Sequence, residues 1–132
     1  MTWENAESYC NSQYGTNLAS IHSQDQNIDA HNECGNAYCW IGLNDINNER
    51  EYRRDGWVWS DSSAYDYDGW WPGEPNGLIE DCAHTLGTNY AWNDADCTGN
   101  RYFLCNLYNP SKSPSISPTP APSRSPLVNN QT

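Results

Sequence analysis

Oxygen-bearing side chains recur along one stretch of this chain: Glu74-Pro75-Asn76, then Glu80-Asp81-Cys82, then Trp92-Asn93-Asp94-Ala95-Asp96-Cys97. Glu74, Asn76, Glu80, Asn93 and Asp94 together offer three carboxylates and two amides. A donor set of this kind, with neither imidazole nor thiolate, suits a hard cation, Ca²⁺ rather than Zn²⁺. Ca²⁺ takes roughly six to eight oxygens, so positions would remain for the hydroxyls of a ligand. The plainer alternative is that Asx side chains close turns in a loop, as they often do. The joint pattern favours ligation. Paired carboxylates such as Glu74 and Glu80 also serve glycoside hydrolysis, but when engaged on a cation neither could donate a proton. Ser, His and Asp occur without a nucleophile-elbow motif, so no enzymatic activity is expected.

The elements that must position these residues are short. Thr2 can cap a helix running to about Tyr14, with Trp3, Ala6, Cys10 and Tyr14 at helical spacing and Gly15 ending it. Ser23-Gln24-Asp25-Gln26 forms a capping box for a second helix to about Glu33, whose apolar face is weak. Trp40 to Leu43 reads as a buried strand; Ala83 to Leu86, Tyr90 to Asn93 and Arg101 to Leu107 read as further short strands. Residues 44–81 form a long region rich in Gly, Pro, Asn and Asp, punctuated by tryptophans that, with a bound cation, would order it. From Pro110 the composition changes: six of the eight prolines lie there among Ser, Thr and Ala. Residues 109–132 therefore read as a disordered tail or linker, a candidate for O-glycosylation that could join other domains. Asn130-Gln131-Thr132 is the one N-glycosylation sequon.

The 132 residues suffice for one domain and this tail. Seven Trp and nine Tyr against one Phe mean that amphipathic rings must fill the core. Six cysteines supply extra constraint and point to an oxidising compartment; roughly 15 pairings are open to them in principle. The net charge is −11, and because Lys112 and Arg124 lie in the tail, residues 1–109 hold four Arg against 17 acids, or −13. Nucleic acid and anionic membranes would be repelled by such a domain, whereas cations would not. Asp25, Asp29, Asp66 and Asp68 read as solvated surface, and His22, His31 and His84 share no ligand spacing. Neither a signal peptide nor a membrane-spanning stretch is visible.

Several motifs in order resemble the C-type lectin domain family, over roughly residues 2–107. They are Trp3-Glu4-Asn5-Ala6-Glu7-Ser8-Tyr9-Cys10, Asn17-Leu18-Ala19-Ser20-Ile21-His22-Ser23, Trp40-Ile41-Gly42-Leu43-Asn44-Asp45, Trp57-Val58-Trp59-Ser60-Asp61 with Trp70, and Phe103-Leu104-Cys105. The resemblance implies an α+β fold over residues 1–108, with two helices, small antiparallel sheets and a long Ca²⁺-binding loop region. It implies disulfides Cys10–Cys105 and Cys82–Cys97, which leave Cys34 and Cys39 to pair. It also implies a principal Ca²⁺ and sugar site at Glu74, Asn76, Glu80, Asn93 and Asp94, with Pro75 after a cis bond. In that family Glu-Pro-Asn marks mannose-type sugars and Gln-Pro-Asp galactose-type, because exchanging amide and acid reverses the donor and acceptor order presented to the hydroxyls.

A second Ca²⁺ site would resemble Asp45, Glu49 and Asp81, but Gly77 stands where its usual further carboxylate would be, so it is expected to stay empty at ordinary calcium levels. Only Gly77-Leu78-Ile79 separate Asn76 from Glu80, fewer than is usual, and Arg50 to Asp55 resembles an insertion. Trp71 and Tyr90 are the candidates for contact with a sugar ring; Trp57, Trp59 and Trp70 are expected in the core. The implied partners are glycans or glycoproteins and the implied location is secreted or extracellular, with a protein-interaction or adhesion module of the same fold as the alternative. The family's first strand would precede Met1, so the chain reads as a fragment with an exposed sheet edge.

Overall fold

The computed structural model describes residues 1–47, 56–106 and 128–129. Helix α1, Trp3–Tyr14, starts where the Thr2 hydroxyl accepts from the Asn5 N–H (3.2 Å) and stops at Gly15, which is left-handed with φ 67°. Helix α2, Gln24–Cys34, starts where the Ser23 hydroxyl accepts from the Gln26 N–H (3.1 Å), while the Gln26 side chain reaches back to the His22 N–H (2.7 Å). The strands are β1 (Cys39–Asn44), β2 (Val58–Trp59), β3 (Cys82–Thr85), β4 (Trp92–Ala95), β5 (Tyr102–Leu104) and β6 (Val128–Asn129). They form one sheet in the order β4-β3-β1-β5-β6, with β2 beside the end of β1. Every pairing is antiparallel except β1 with β5, which is parallel in the register Cys39 to Tyr102 and Trp40 to Phe103.

Two apolar clusters flank the sheet. Under α1, Trp3, Ala6 and Cys10 pack on Leu18, Trp40 and Phe103. Under α2 and the long loop, Trp57, Trp59, Trp70 and Trp92 pack edge to face, 4.8 to 5.9 Å between ring centres, around Ile41, Leu43 and Leu104. Buried indoles need partners for their N–H groups. Trp3 donates to the Ile41 carbonyl (2.8 Å), Trp92 to Asn27 Oδ1 (2.9 Å) and Trp70 to the Tyr65 hydroxyl (2.8 Å). The disulfides are Cys10–Cys105, Cys34–Cys39 and Cys82–Cys97. The first closes 95 residues of sequence and ties α1 to the residue after β5. Arg50 to Asp55, Glu49 and the tail outside Val128–Asn129 lie outside the described residues.

Two sequence expectations shift. The strand expected at Tyr90 to Asn93 begins at Trp92, because Gly87–Asn89 form a 3₁₀ turn and Tyr90 is left-handed (φ 50°). The weak apolar face of α2 is polar where it meets the core. Asn27 and His31 are buried there, with Asn27 Nδ2 donating to the Tyr90 carbonyl (2.8 Å) and His31 Nε2 3.1 Å from the Ala91 carbonyl. The helix thus adds hydrogen bonds to the chain entering β4 beside the apolar contact made by buried Ala30 and Cys34.

Candidate functional site

Strand β4 and the loop beside it build the site. Trp92 bridges Trp70 in parallel: its N–H donates to the Gly69 carbonyl (2.8 Å), and its carbonyl accepts from Trp71 (3.0 Å). The two segments lie so close that a Cβ on Gly69 would stand 2.5 Å from the Trp92 ring, which explains glycine there. A turn follows, closed by the Glu74 N–H on the Trp71 carbonyl (2.9 Å), and the Glu74–Pro75 bond is cis. The Glu74 and Asn76 side chains meet, Asn76 Nδ2 donating to Glu74 Oε2 at 3.3 Å.

Asp94 organises what comes next. Its carboxylate is fully buried and accepts from the backbone N–H groups of Asn76 (3.1 and 3.2 Å) and Gly77 (3.0 Å). These bonds pin the short loop onto β4. Glu80 folds back over Gly77, where a Cβ would fall 2.3 Å from Glu80 Oε1. The carboxyls of Glu74, Glu80 and Asp94 consequently influence one another. Partial burial, a hydrogen bond with Asp94 and the charges of Asp94 and Glu80 push Glu74 up to about 7. Glu80 is also raised, by burial and by the charges of Asp94 and Asp96, with Arg101 opposing.

Asn93 lies on the other face of β4, opposite His84 of β3. His84 Nδ1 is 2.7 Å from the Thr85 carbonyl and so carries the proton; Nε2 then accepts from Asn93 Nδ2 at 3.4 Å. With one amide hydrogen on His84, Asn93 keeps its second hydrogen and its oxygen for other partners. Burial and the Arg101 charge lower His84 to about 4, against the Thr85 hydrogen bond and Asp94, so the neutral ring that orients Asn93 persists at physiological pH. In sequence His84 reads as an ordinary histidine; only the cross-strand register reveals its part.

As the side chains stand, among the described residues no three His, Cys, Asp or Glu groups are gathered around a point that could hold a metal ion. Glu74, Asn76, Glu80 and Asp94 are nonetheless linked around one loop, while Asn93 is linked through β4 to His84. Of the expected second site, the Asp45 N–H donates to the Asp81 carbonyl (3.1 Å), and Glu49 is outside the described residues. Trp71 is exposed next to the turn. Tyr90 is also exposed, but its ring leans on His31 of α2, 5.5 Å between centres. Trp57, Trp59 and Trp70 are buried, as expected of core residues.

Two acids read as plain surface hold the long loop instead. Asp66 Oδ1 meets His22 Nδ1 at 2.7 Å, and Asp68 accepts from the Trp70 N–H at 3.1 Å. Around His22, Ser20 donates to Asp61 (2.6 Å), Ser63 donates to the same carboxylate, and Asn106 joins at 3.2 Å. This network fastens residues 61–66 to the segment entering α2.

The Lectin C-type domain profile matches residues 1–107. Among curated relatives, a C-type lectin mannose-binding isoform of Notechis scutatus scutatus is 38% identical over 78% of this chain and 68% of its own length. The galactose-specific lectin nattectin of Thalassophryne nattereri is 39% identical over 80% of this chain and 67% of its own. Among solved structures, the cow C-type carbohydrate-recognition domain of CD23, determined in the presence of a GlcNAc2Man3 oligosaccharide, superposes with a TM-score of 0.70 at 33% identity, covering 80% and 78% of the two chains. A calcium-independent type II antifreeze protein superposes with a TM-score of 0.71 at 30% identity, covering 80% and 77%. The family is one of carbohydrate-binding domains rather than enzymes. On its motifs, its fold and these matches, the chain belongs to the C-type lectin domain family.

Proposed function

We propose that this domain binds mannose-type glycans reversibly through a Ca²⁺ ion held by Glu74, Asn76, Glu80, Asn93 and Asp94. The observation that carries the reading is the crowding of acids around the Pro75 loop, which pushes Glu74 up to about 7. A divalent cation among these oxygens removes the mutual repulsion, and the all-oxygen donor set fits Ca²⁺. When bound, the ion supplies open coordination positions for adjacent sugar hydroxyls. The chain's own groups set the order of hydrogen bonds: Glu74 and Glu80 accept from hydroxyls, while the amide N–H groups of Asn76 and Asn93 donate to them. Glu80 must leave its position over Gly77 to take part. Three disulfides support a secreted or extracellular setting. Among the described residues no helix is long and apolar enough to cross a membrane.

The test is retention on immobilised mannose in Ca²⁺, followed by EDTA. Retention with release by EDTA supports the reading; flow-through of folded, oxidised protein refutes it. A second reading, a protein-interaction or adhesion module, draws on the loop itself. Leu78 and Ile79 are 51% and 73% exposed beside the proposed site, an apolar rim that a protein partner would cover. Free mannose discriminates the two, since it displaces a glycan and leaves a protein contact intact.

A further inference from the structure

Asn76-Gly77 is the one Asn-Gly step in the chain, and it lies in the loop of the site. In such a step a backbone nitrogen can attack the preceding side-chain amide with little hindrance, because glycine has no Cβ. The structure gives this step two opposing features. Asn76 is exposed, and among the described residues its amide makes one hydrogen bond, 3.3 Å to Glu74 Oε2, which leaves its Cγ open to attack. The close approach of Glu80, 2.3 Å from where a Cβ on residue 77 would stand, requires glycine there, so the fold itself imposes the unhindered nitrogen. Asp94 acts in the opposite sense. Its Oδ2 accepts from the Gly77 N–H (3.0 Å) and from the Asn76 N–H (3.1 Å). Two successive amides on one buried oxygen hold the peptide plane between residues 76 and 77. Asp94 is itself fixed on β4, opposite Ala83 of β3, and cannot follow the loop outward.

We propose that Asn76 is a site of spontaneous deamidation, and that the hydrogen bonds from Asn76 and Gly77 to Asp94 hold the reaction in check. The Gly77 nitrogen gives up its proton and bonds to Asn76 Cγ. The Cγ–Nδ2 bond breaks, and the amide nitrogen leaves with that proton as ammonia. Water then opens the cyclic imide at either carbonyl, which yields aspartate or isoaspartate at position 76. The net reaction consumes one water and releases one ammonia, with no oxidant or enzyme. To reach Cγ, the Gly77 nitrogen must leave Asp94, so the reaction runs through the fraction of molecules in which the loop has let go. A hydrogen bond to a buried carboxylate slows that release by about ten- to a hundredfold. Either product puts another negative charge among Glu74, Glu80 and Asp94, and isoaspartate also lengthens the backbone between Pro75 and Gly77. The consequence for sugar rests on the reading proposed above. Position 76 would lose the amide N–H that donates to a hydroxyl, so the loop would carry a chemical clock for loss of mannose binding.

The full chain is incubated in EDTA in mildly alkaline buffer, and peptides are mapped over time by mass spectrometry with separation of the isoaspartyl form. Asn76 is expected to convert ahead of Asn5, Asn36 and Asn100, which are exposed but precede residues with side chains. The reduced, unfolded chain should convert at Asn76 at least about tenfold faster than the folded one. Folded Asp94→Asn should move toward the unfolded rate; should that variant fail to fold, the comparison of folded with unfolded parent carries the test. Conversion of another asparagine first would overturn the proposal. Equal Asn76 rates in folded and unfolded chain would overturn the part given to Asp94, as would a slower rate in folded Asp94→Asn, which would make that carboxylate a base rather than a restraint. The converted protein is then passed over immobilised mannose in Ca²⁺ beside the fresh protein. Loss of retention on conversion supports both readings. Undiminished retention after full conversion would count against the sugar site and leave the modification site standing.

Discussion

Replacing His84 with Phe tests whether a buried neutral imidazole links β3 to the site. The ring is 2% exposed, stacked on Tyr38 (5.1 Å between centres) and edge-on to Trp40 (5.9 Å). Burial holds its pKa at about 4 against 6.5 unfolded. The folded value lies below the unfolded one, so the stabilisation is complete above pH 6.5 and is lost as pH falls toward 4. At about 1.4 kcal/mol per unit, that difference amounts to about 3 kcal/mol. Phe preserves the stacking but leaves the Thr85 carbonyl without this donor, which costs about 1–3 kcal/mol at any pH. Denaturant unfolding in EDTA at pH 7 and pH 4 separates the two effects. The parent should be the more stable at pH 7 and should lose about 3 kcal/mol more than the variant on acidification. Equal losses in both proteins would refute the reasoning. Because the Asn93 amide loses the partner that orients it, Ca²⁺ affinity at pH 7 should also weaken about 10- to 100-fold, the usual cost of removing an outer-shell partner.

Other perturbations probe the site from different sides. Glu74→Gln with Asn76→Asp reverses the donor and acceptor order and should shift preference from mannose toward galactose in a competition assay; unchanged selectivity contradicts the proposed site. Because Glu74 is raised from 4.5 to about 7, the folded state favours its protonated form. In EDTA the parent should gain stability relative to Glu74→Gln as pH falls from about 7 toward 4.5, and saturating Ca²⁺ should reverse that trend; identical pH profiles for the two proteins in EDTA would argue against the crowding of acids. Gly69→Ala places a Cβ 2.5 Å from the Trp92 ring and should cost about 1–3 kcal/mol in thermal unfolding while weakening Ca²⁺ binding, with an unaltered midpoint as the opposing result.

The parts of the fold legible in the sequence are those whose signals are local. The Thr2 and Ser23 caps, the Gly15 stop and the apolar spacing of α1 each act within a turn of the residue concerned, and both helices begin where those signals place them. The disulfides and the cis Glu74–Pro75 bond came from the family's motif order, which records long-range pairing that no single window contains. What was not legible depends on partners distant in sequence. The face of α2 is polar because Asn27 and His31 meet carbonyls of residues 90 and 91, more than fifty positions away. Asp66 looks like solvated surface until His22, 44 residues earlier, is brought beside it. The pattern predicts β4 from Tyr90 and the strand begins at Trp92, because the left-handed Tyr90 has neither Gly nor Asn identity to announce the turn. In each case a polar group satisfied at long range carries no periodicity.

These polar groups give the site its character. An apolar face on α2 would pack against β4 without fixing its register, whereas Asn27 and His31 bind particular carbonyls just ahead of Trp92-Asn93-Asp94. Gly69 admits the Trp92 ring, Trp92 holds the loop leading to Glu74, and buried Asp94 fastens Asn76 and Gly77. The scaffold is therefore fixed up to the carboxylates, and the carboxylates oppose one another. Raised Glu74 and Glu80 are the electrostatic consequence of that arrangement. Arg101, the only lysine or arginine among the described residues, does not neutralise the group: its guanidinium lies over the Trp40 ring at 5.0 Å and acts on Glu80 only as a modest counter-charge. A site that is rigid in its backbone and repulsive in its side chains gains most from a small divalent cation. On the proposed reading, the same ion that presents the sugar would complete the local stability of the loop, so calcium removal should loosen residues 74–80 before it loosens the tryptophan core.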